Sequence, residues 1–430
     1  MNLDSFTSKD GFRWVVGLFL FSLMVSMAGI EIFSGASIAF LLYFIFQSLK
    51  KQKTAPNFIH WSGFEIPLLI LLSLVSIGLV LHNDYNPDRM REFGNIRWVV
   101  VFFAILYSMV QVQWENKDEW ARIFFLMCLM IGIYAFCQAV TGIDLVRWDN
   151  RAVQFDHYDK FPFYRAAGFF SNPMTFGHSS AMWGVICFSF FIVQRRDWRK
   201  CLMPAIGLFG VVLGLYCSHT RGAWIAFFFG SLFIATLKNF KVGLLFVFSS
   251  FLLAGIAALV FPPFAERLHT IFDPNFTSNV SRMYIWKAHF EIFKDYPWMG
   301  AGLNYNPYLL GTYYDKLVTP TTYKQIGHAH NTYLQWLAGT GVLGLVAYML
   351  FIVKGLWISL KEYLWSKKEG SPMMTSILLG CLGAQVAFHF GGLTECNFRD
   401  AEVRTFFLVM MAIPCAHGIQ RRFLKIEELI

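Results

Sequence analysis

The sequence predicts an all-α polytopic membrane protein of about twelve transmembrane helices, with a large, partly helical loop between spans 9 and 10. Three observations predict it. Of 430 residues, 56% are hydrophobic and only 15% are charged, with a mean hydropathy of +0.48. The apolar residues fall in long blocks, and about 20 of them suffice to cross roughly 30 Å of hydrocarbon. Short basic loops alternate onto one side of those blocks.

Apolar blocks start near Phe12, Glu31, Gly63, Ile96, Glu119, Asn172, Cys201, Gly222, Val242, Asn331, Pro372 and Glu402. The first does not read as a cleaved signal peptide. No small-x-small site precedes a polar region, and a second apolar block follows almost at once. The blocks near Glu31 and Gly222 are each joined to a neighbour by a very short turn. With no internal repeat and no low-complexity tract, residues 1–430 read as one integral membrane domain.

Lys50-Lys51 with Lys53, Arg195-Arg196 with Arg199-Lys200, Lys238 with Lys241, Lys361 with Lys367-Lys368, and Arg421-Arg422 share one side. The positive-inside bias assigns that side to the cytoplasm, and both termini with it. Residues 82–95, 143–170, the Ser218-His219-Thr220-Arg221 turn, 262–329 and 391–401 then face outward. Arg89, Arg91, Arg151 and Lys160 also fall there, so the bias is not clean. The formal net charge of +9 sits largely in short loops, which excludes a nucleic-acid partner as its reason. No Cys-x-x-Cys pair or Cys/His cluster occurs, so neither zinc nor a disulfide framework is expected. Cys128, Cys137, Cys187, Cys217, Cys381 and Cys415 read as small hydrophobes.

The 262–329 connection is the longest polar stretch, and connections of this length are usually functional. Met283, Trp286, Phe290 and Phe293 recur at helical spacing from Val280 until Pro297 stops the pattern, predicting an amphipathic helix against the outer face. Tyr305, Tyr308, Tyr313, Tyr314 and Tyr323 follow as an aromatic loop suited to headgroups or to stacking on sugars. An interfacial aromatic belt is the plainer account.

Candidate chemistry gathers on the same face. His330 ends that loop in Gly327-His328-Ala329-His330-Asn331, and Leu334, Ala338, Val342 and Leu345 continue at helical spacing into a span. An imidazole at that boundary suits proton transfer near neutral pH, although an interfacial histidine bonded to its own loop would look alike. His328 is an alternative to it. Arg221 faces outward with His219 in a polar break, and Arg282 lies four residues before Trp286. Arg165 opens Arg165 to Pro173, just before a span. Each arginine could snorkel to headgroups; each could equally aim a planar fork at phosphate. Glu395, Asp400 and Glu402 form an acidic outer loop that could orient the histidine, bind a sugar hydroxyl or simply be solvated. Asp-x-Asp and Walker-type signatures are absent, which argues against nucleotide-driven chemistry.

At these residues the chain resembles the O-antigen ligase and polymerase superfamily, the membrane proteins that share a Wzy-C type domain. The ligase hallmark is His, then Asn, Ser or Gln, a fixed spacer, Gly, two residues and Gly. Here it reads His330-Asn331, Thr332 to Thr340, Gly341 and Gly344 without a mismatch. Thr220-Arg221-Gly222-Ala223-Trp224 resembles the family's arginine turn. Ser281-Arg282 with Ile285-Trp286 resembles its loop arginine, and Arg165 to Pro173 its upstream element. The resemblance spans roughly residues 165–344.

It implies glycosyl transfer on the periplasmic face of a Gram-negative inner membrane. The implied donor is a polysaccharide on undecaprenyl pyrophosphate, and the implied acceptor is lipid A-core. His330 would be the general base, and Arg221 and Arg282, with Arg165, would hold the pyrophosphate. Asn331, His328, Trp286 and His219 would line the substrate site. No cofactor and no metal are implied, and displacement would invert the anomeric carbon. An O-antigen polymerase and a protein O-oligosaccharyltransferase share these features. A secondary transporter or flippase, the alternative from another class, would place polar groups near the midplane in repeated halves.

Overall fold

The computed structural model describes residues 10–50, 62–81, 87–111, 117–147, 154–155, 164–303 and 306–427. Lys51, Lys53, Arg151, Lys160 and Tyr305 lie outside them. The chain forms α1 (Asp10–Val25), α2 (Met27–Lys50), α3 (Glu65–Leu81), α4 (Pro87–Gln111) and α5 (Lys117–Thr141). A two-residue antiparallel pair, β1 (Gln154–Phe155) with β2 (Tyr164–Arg165), precedes α6 (Pro173–Gln194). Then come α7 (Trp198–Ser218), α8 (Arg221–Lys238) and α9 (Phe240–Val260). A helical connection of α10 (Pro262–Phe272), α11 (Thr277–Asp295) and α12 (Asn306–Lys316) leads to α13 (Thr332–Glu369), α14 (Pro372–Gly391) and α15 (Ala401–Glu427).

Among the described residues, eight helices are long and apolar enough to cross a membrane: α5 to α9 and α13 to α15. Shorter apolar stretches at Val16–Val25, Met27–Tyr43, Glu65–Gly78 and Arg97–Val110 fall in α1 to α4, where the sequence predicts the remaining spans. Local chemistry sets the ends. Pro173 and Pro372 occupy first helical turns, and the side chains of Asn172 and Ser371 cap them. α6 and α15 are the centre of the bundle, each with 83% of its apolar window buried. α9 buries only 6% of its window, as befits a peripheral helix that is apolar on every side.

Hydrogen bonds show which loops share an end. Arg165 Nε donates to the Ser218 carbonyl at 3.3 Å, Thr220 Oγ1 to that of Pro173 at 3.1 Å, and Thr332 N to that of Gly392 at 2.7 Å. At the other end Gln420 Nε2 reaches the Val110 carbonyl at 2.8 Å, and Glu362 accepts from Arg421 Nη2 at 3.0 Å. Lys238 lies within Coulombic reach of Arg195, Arg196 and Lys367 there. These basic groups thus sit opposite His330, as the alternation predicts.

The long connection is helical, and it departs from the sequence reading at its tyrosines. On α11 the buried positions are Ser281, Ile285, Ala288, His289 and Ile292, whereas Met283, Trp286 and Phe290 are exposed. The small residues Ser281 and Ala288 let α11 approach its neighbours closely, so the packing face is not the bulkier stripe. Tyr308, Tyr313 and Tyr314 lie on a helix rather than in an aromatic loop. Tyr313 and Tyr314 are buried in a second core with Ile285, Ile292, Leu310 and Ala338. Their hydroxyls are satisfied by Asp295 Oδ2 at 2.7 Å and the Gln325 carbonyl at 2.8 Å, so neither is available for sugars.

That second core is tied to α13 at a break. Gly341 has φ 65° and ψ −170° inside the helix. The chain at 297–302 crosses it there: Ala301 N donates to the Ala338 carbonyl at 2.9 Å and Val342 N to that of Pro297 at 2.9 Å. A Cβ on Gly341 would stand 2.3 Å from the Trp298 backbone. Left-handed backbone and overpacking together set the expectation for Gly341→Ala: a stability loss of about 3 kcal/mol. Thermal unfolding of the purified variant reads it, and an unchanged midpoint would contradict the break.

Candidate functional site

Asn331 is the N-cap of α13, its Oδ1 accepting from the backbone N–H groups of Tyr333 and Leu334 at 3.0 Å each. Its Nδ2 donates to the Leu393 carbonyl at 3.2 Å, and Thr332 Oγ1 donates to the Glu395 carbonyl at 3.0 Å. The motif asparagine therefore starts the helix and ties it to the turn after α14. His330 precedes the cap with φ 45°, a left-handed conformation that a non-glycine residue adopts only when its surroundings impose it. That twist puts both imidazoles on one carboxylate.

His330 Nδ1 lies 3.0 and 3.1 Å from the two Glu395 oxygens. Glu395 is 4% exposed, and its Oε1 also accepts from Cys396 N at 3.0 Å. Burial raises its pKa, but the hydrogen bond from His330 and the charge of Arg282 hold the carboxyl well below its usual range. An ionised carboxylate on Nδ1 makes that nitrogen the donor and leaves Nε2 as the basic atom. His328 is arranged differently. Its Nδ1 accepts from His330 N at 3.3 Å, and burial, aided by Arg399 and Arg282, brings its pKa down to about 4 despite Glu395. His328 is a neutral neighbour.

Arg282 shares the space. Its half-buried guanidinium is within Coulombic reach of Glu395, His328 and His178 and makes no hydrogen bond or ion pair with the described residues. Trp286, one turn further along α11, donates Nε1–H to the Ala329 carbonyl at 2.9 Å, which pins α11 beside the motif. His330, His328, Asn331, Arg282 and Trp286 thus come together.

The other candidates serve the surroundings. Arg221 Nη2 donates to Ser278 Oγ at 2.6 Å and Asn279 Oδ1 at 3.2 Å, and Nη1 to the Thr270 carbonyl. The guanidinium also lies over Phe276, 4.8 Å from the ring centroid. Those contacts hold the start of α11, one turn ahead of Arg282. Arg165 Nε bonds the Ser218 carbonyl. His219 is buried with φ 51° at the end of α7, and its carbonyl accepts from Arg267 at 2.7 Å. It is a corner of the fold rather than a lining group.

Sequence reasoning left Glu395 among three acidic residues and missed His178 and Arg267. The one signal for Glu395 was its membership of the outer acidic loop. Asp400 accepts from Thr175 Oγ1 at 2.9 Å. Burial and the nearby Glu395 charge push its pKa up to about 7. A carboxyl raised on folding binds its proton more tightly in the native state, so its stabilising share is lost as pH rises from about 4 towards 7. Asp400→Asn keeps the acceptor for Thr175. It should unfold at a higher temperature than wild type at pH 8 and match it at pH 4; equal midpoints at both would refute this.

The ligand atoms of His328, His330 and Glu395 all lie within 4.8 Å of one another and could hold a metal ion. The adjacent Arg282 and Arg399 add positive charge, which opposes a cation and favours an anion.

Helical bundle and site together describe a multi-pass membrane protein carrying an imidazole–carboxylate pair beside an arginine. Residues 206–349 match the Wzy_C family model, described as O-antigen ligase, so the chain carries a domain of the O-antigen ligase/polymerase superfamily, whose members are glycosyltransferase-like membrane enzymes. That stretch contains Arg221, Arg282 and His330 and leaves Arg165, His178, Glu395 and Asp400 outside. No curated protein matches the chain.

Proposed function

We propose that the protein is an O-antigen ligase. It transfers a polysaccharide from undecaprenyl pyrophosphate to lipid A-core at the periplasmic face of a Gram-negative inner membrane. The observation that carries the reading is the contact of His330 with Glu395, made at the end of the bundle that also holds Arg282.

In this reaction the acceptor hydroxyl oxygen attacks the anomeric carbon of the donor sugar. The bond from that carbon to the pyrophosphate oxygen breaks, and the lipid leaves with the electron pair. Nε2 of His330 takes the hydroxyl proton, and Glu395 stabilises the imidazolium that results. Arg282 meets the charge that grows on the pyrophosphate. Arg221, expected from the sequence to share that task, acts through Arg282 by fixing the start of α11. Direct displacement inverts the anomeric carbon. The activated donor drives the reaction, so no nucleotide is consumed and no metal takes part.

The test is reconstitution with lipid-linked glycan and two acceptors, lipid A-core and a second lipid-linked glycan. Transfer to lipid A-core supports a ligase. Transfer to the second glycan alone identifies a polymerase, and transfer to neither removes the reading. Activity is expected to survive a chelator; a sharp loss would place a working ion on His328, His330 and Glu395.

A further inference from the structure

His178 belongs to none of the motifs above. It lies on α6, one turn beyond Thr175, whose hydroxyl holds Asp400. The residue is 3% exposed, and its Nδ1 is buried without a hydrogen-bond partner. Nε2 makes no hydrogen bond with the described residues either. Leaving such a group unsatisfied costs about 1–3 kcal/mol, so an imidazole kept this way in a packed interior calls for a reason.

The packing around it points to one. Gly391 and Gly222 make room for the ring: a Cβ on Gly391 would stand 2.6 Å from Nδ1, and one on Gly222 would stand 3.5 Å from Cε1. Gly222 follows Arg221 and meets Thr394, the neighbour of Glu395. The ring is within Coulombic reach of both Glu395 and Arg282. Two donors unspent on the described residues, the Arg282 guanidinium and the His178 ring, therefore border the same partly buried region. A guanidinium alone can bind one edge of a phosphate. A second donor from another helix would fix its orientation, and a neutral imidazole supplies one N–H for this without adding charge.

We infer that His178 is a second phosphate-binding residue, donating Nε2–H to an oxygen of the donor's pyrophosphate while Arg282 holds the opposite edge. This rests on the function proposed above. It assigns α6 to the donor side of the site, opposite the acceptor-activating pair His330 and Glu395, and it leaves Nδ1 as an unprotonated acceptor against Gly391.

Binding of glycan-free undecaprenyl pyrophosphate to the full chain in detergent micelles, titrated at equilibrium, tests it. Gln carries an amide where histidine has Nε2, and Asn carries one where it has Nδ1. His178→Gln should keep the affinity within about threefold, whereas His178→Asn and His178→Leu should each weaken it by about tenfold. All are compared at unchanged thermal midpoints. Should His178→Leu fail to fold, the Gln and Asn pair decides alone. Wild-type affinity in His178→Asn, or an equal loss in His178→Gln, would overturn the assignment and leave the proposed function standing. A wild-type chain that does not bind the lipid at all would remove both.

Discussion

His330→Ala is expected to lower glycosyl transfer by about 10²- to 10⁴-fold, the range that loss of a positioned general base produces. The reason is local. Nδ1 faces Glu395 at 3.0 Å, so the remaining nitrogen is the one proton acceptor that the pair offers to a substrate. His328 does not replace it, because its Nδ1 accepts from the His330 backbone N–H, which leaves the proton of the neutral ring on Nε2. The imidazole is only partly buried, with a side-chain exposure of 22%. Its removal leaves the buried Glu395 with one of its two donors, so the thermal midpoint should fall, and rates are compared at a temperature where the mutant is folded and inserted. Rates measured with saturating donor and acceptor read the effect. Transfer at the wild-type rate by a properly inserted mutant would exclude His330 as the base.

Glu395→Gln is expected to reduce kcat by about 10²-fold or more, with a small change in KM. The carboxylate accepts from two donors, His330 Nδ1 and Cys396 N at 3.0 Å. An amide has only one acceptor oxygen. Either a buried donor is orphaned, or the imidazole takes the other tautomer and presents Nε2–H, which cannot accept a proton. The equivalent change in a Ser-His-Asp triad costs about 10⁴-fold. Glu395→Asp, which keeps both oxygens on a shorter stem, should lose less. A pH scan adds an independent readout. The Glu395 carboxyl is held below its usual range, so its stabilising share is present above that range and is lost as pH falls through it and below. The thermal midpoint of wild type should drop over that acid window by more than that of Glu395→Gln. Equal rates for Gln and wild type would show that the contact is incidental.

The part of the site legible beforehand was the part written in contiguous sequence. His330, Asn331, Gly341 and Gly344 lie on one stretch, and helical spacing alone placed the histidine at the mouth of a span. Arg282 and Trp286 are one turn apart on a predicted helix, so their shared face was readable too. Glu395 is 65 positions away from His330 in sequence, and nothing in its neighbourhood distinguished it from Asp400 or Glu402. Arg221 looked like a phosphate ligand because a guanidinium at a helix start is suited to one. Its partners Ser278, Asn279 and Thr270 come from a segment that only folding brings near. Spacing identifies an amphipathic face, but whether it packs inward or lies outward depends on which neighbour approaches.

By itself the sequence determined that this chain is a helical membrane protein, and it determined where the long connection falls. Hydrocarbon lets a backbone satisfy its hydrogen bonds only within helices or around a closed barrel, and unbroken apolar blocks of about 20 residues fit the helix. It also determined the identity of the motif, whose glycine at 341 is needed where another backbone crosses. Only the tertiary structure decided which carboxylate meets which imidazole, that Asn331 caps α13, and that His178 lies beneath the same site as Arg282. Those are contacts between distant segments, set by packing of helices whose relative rotation no local pattern encodes.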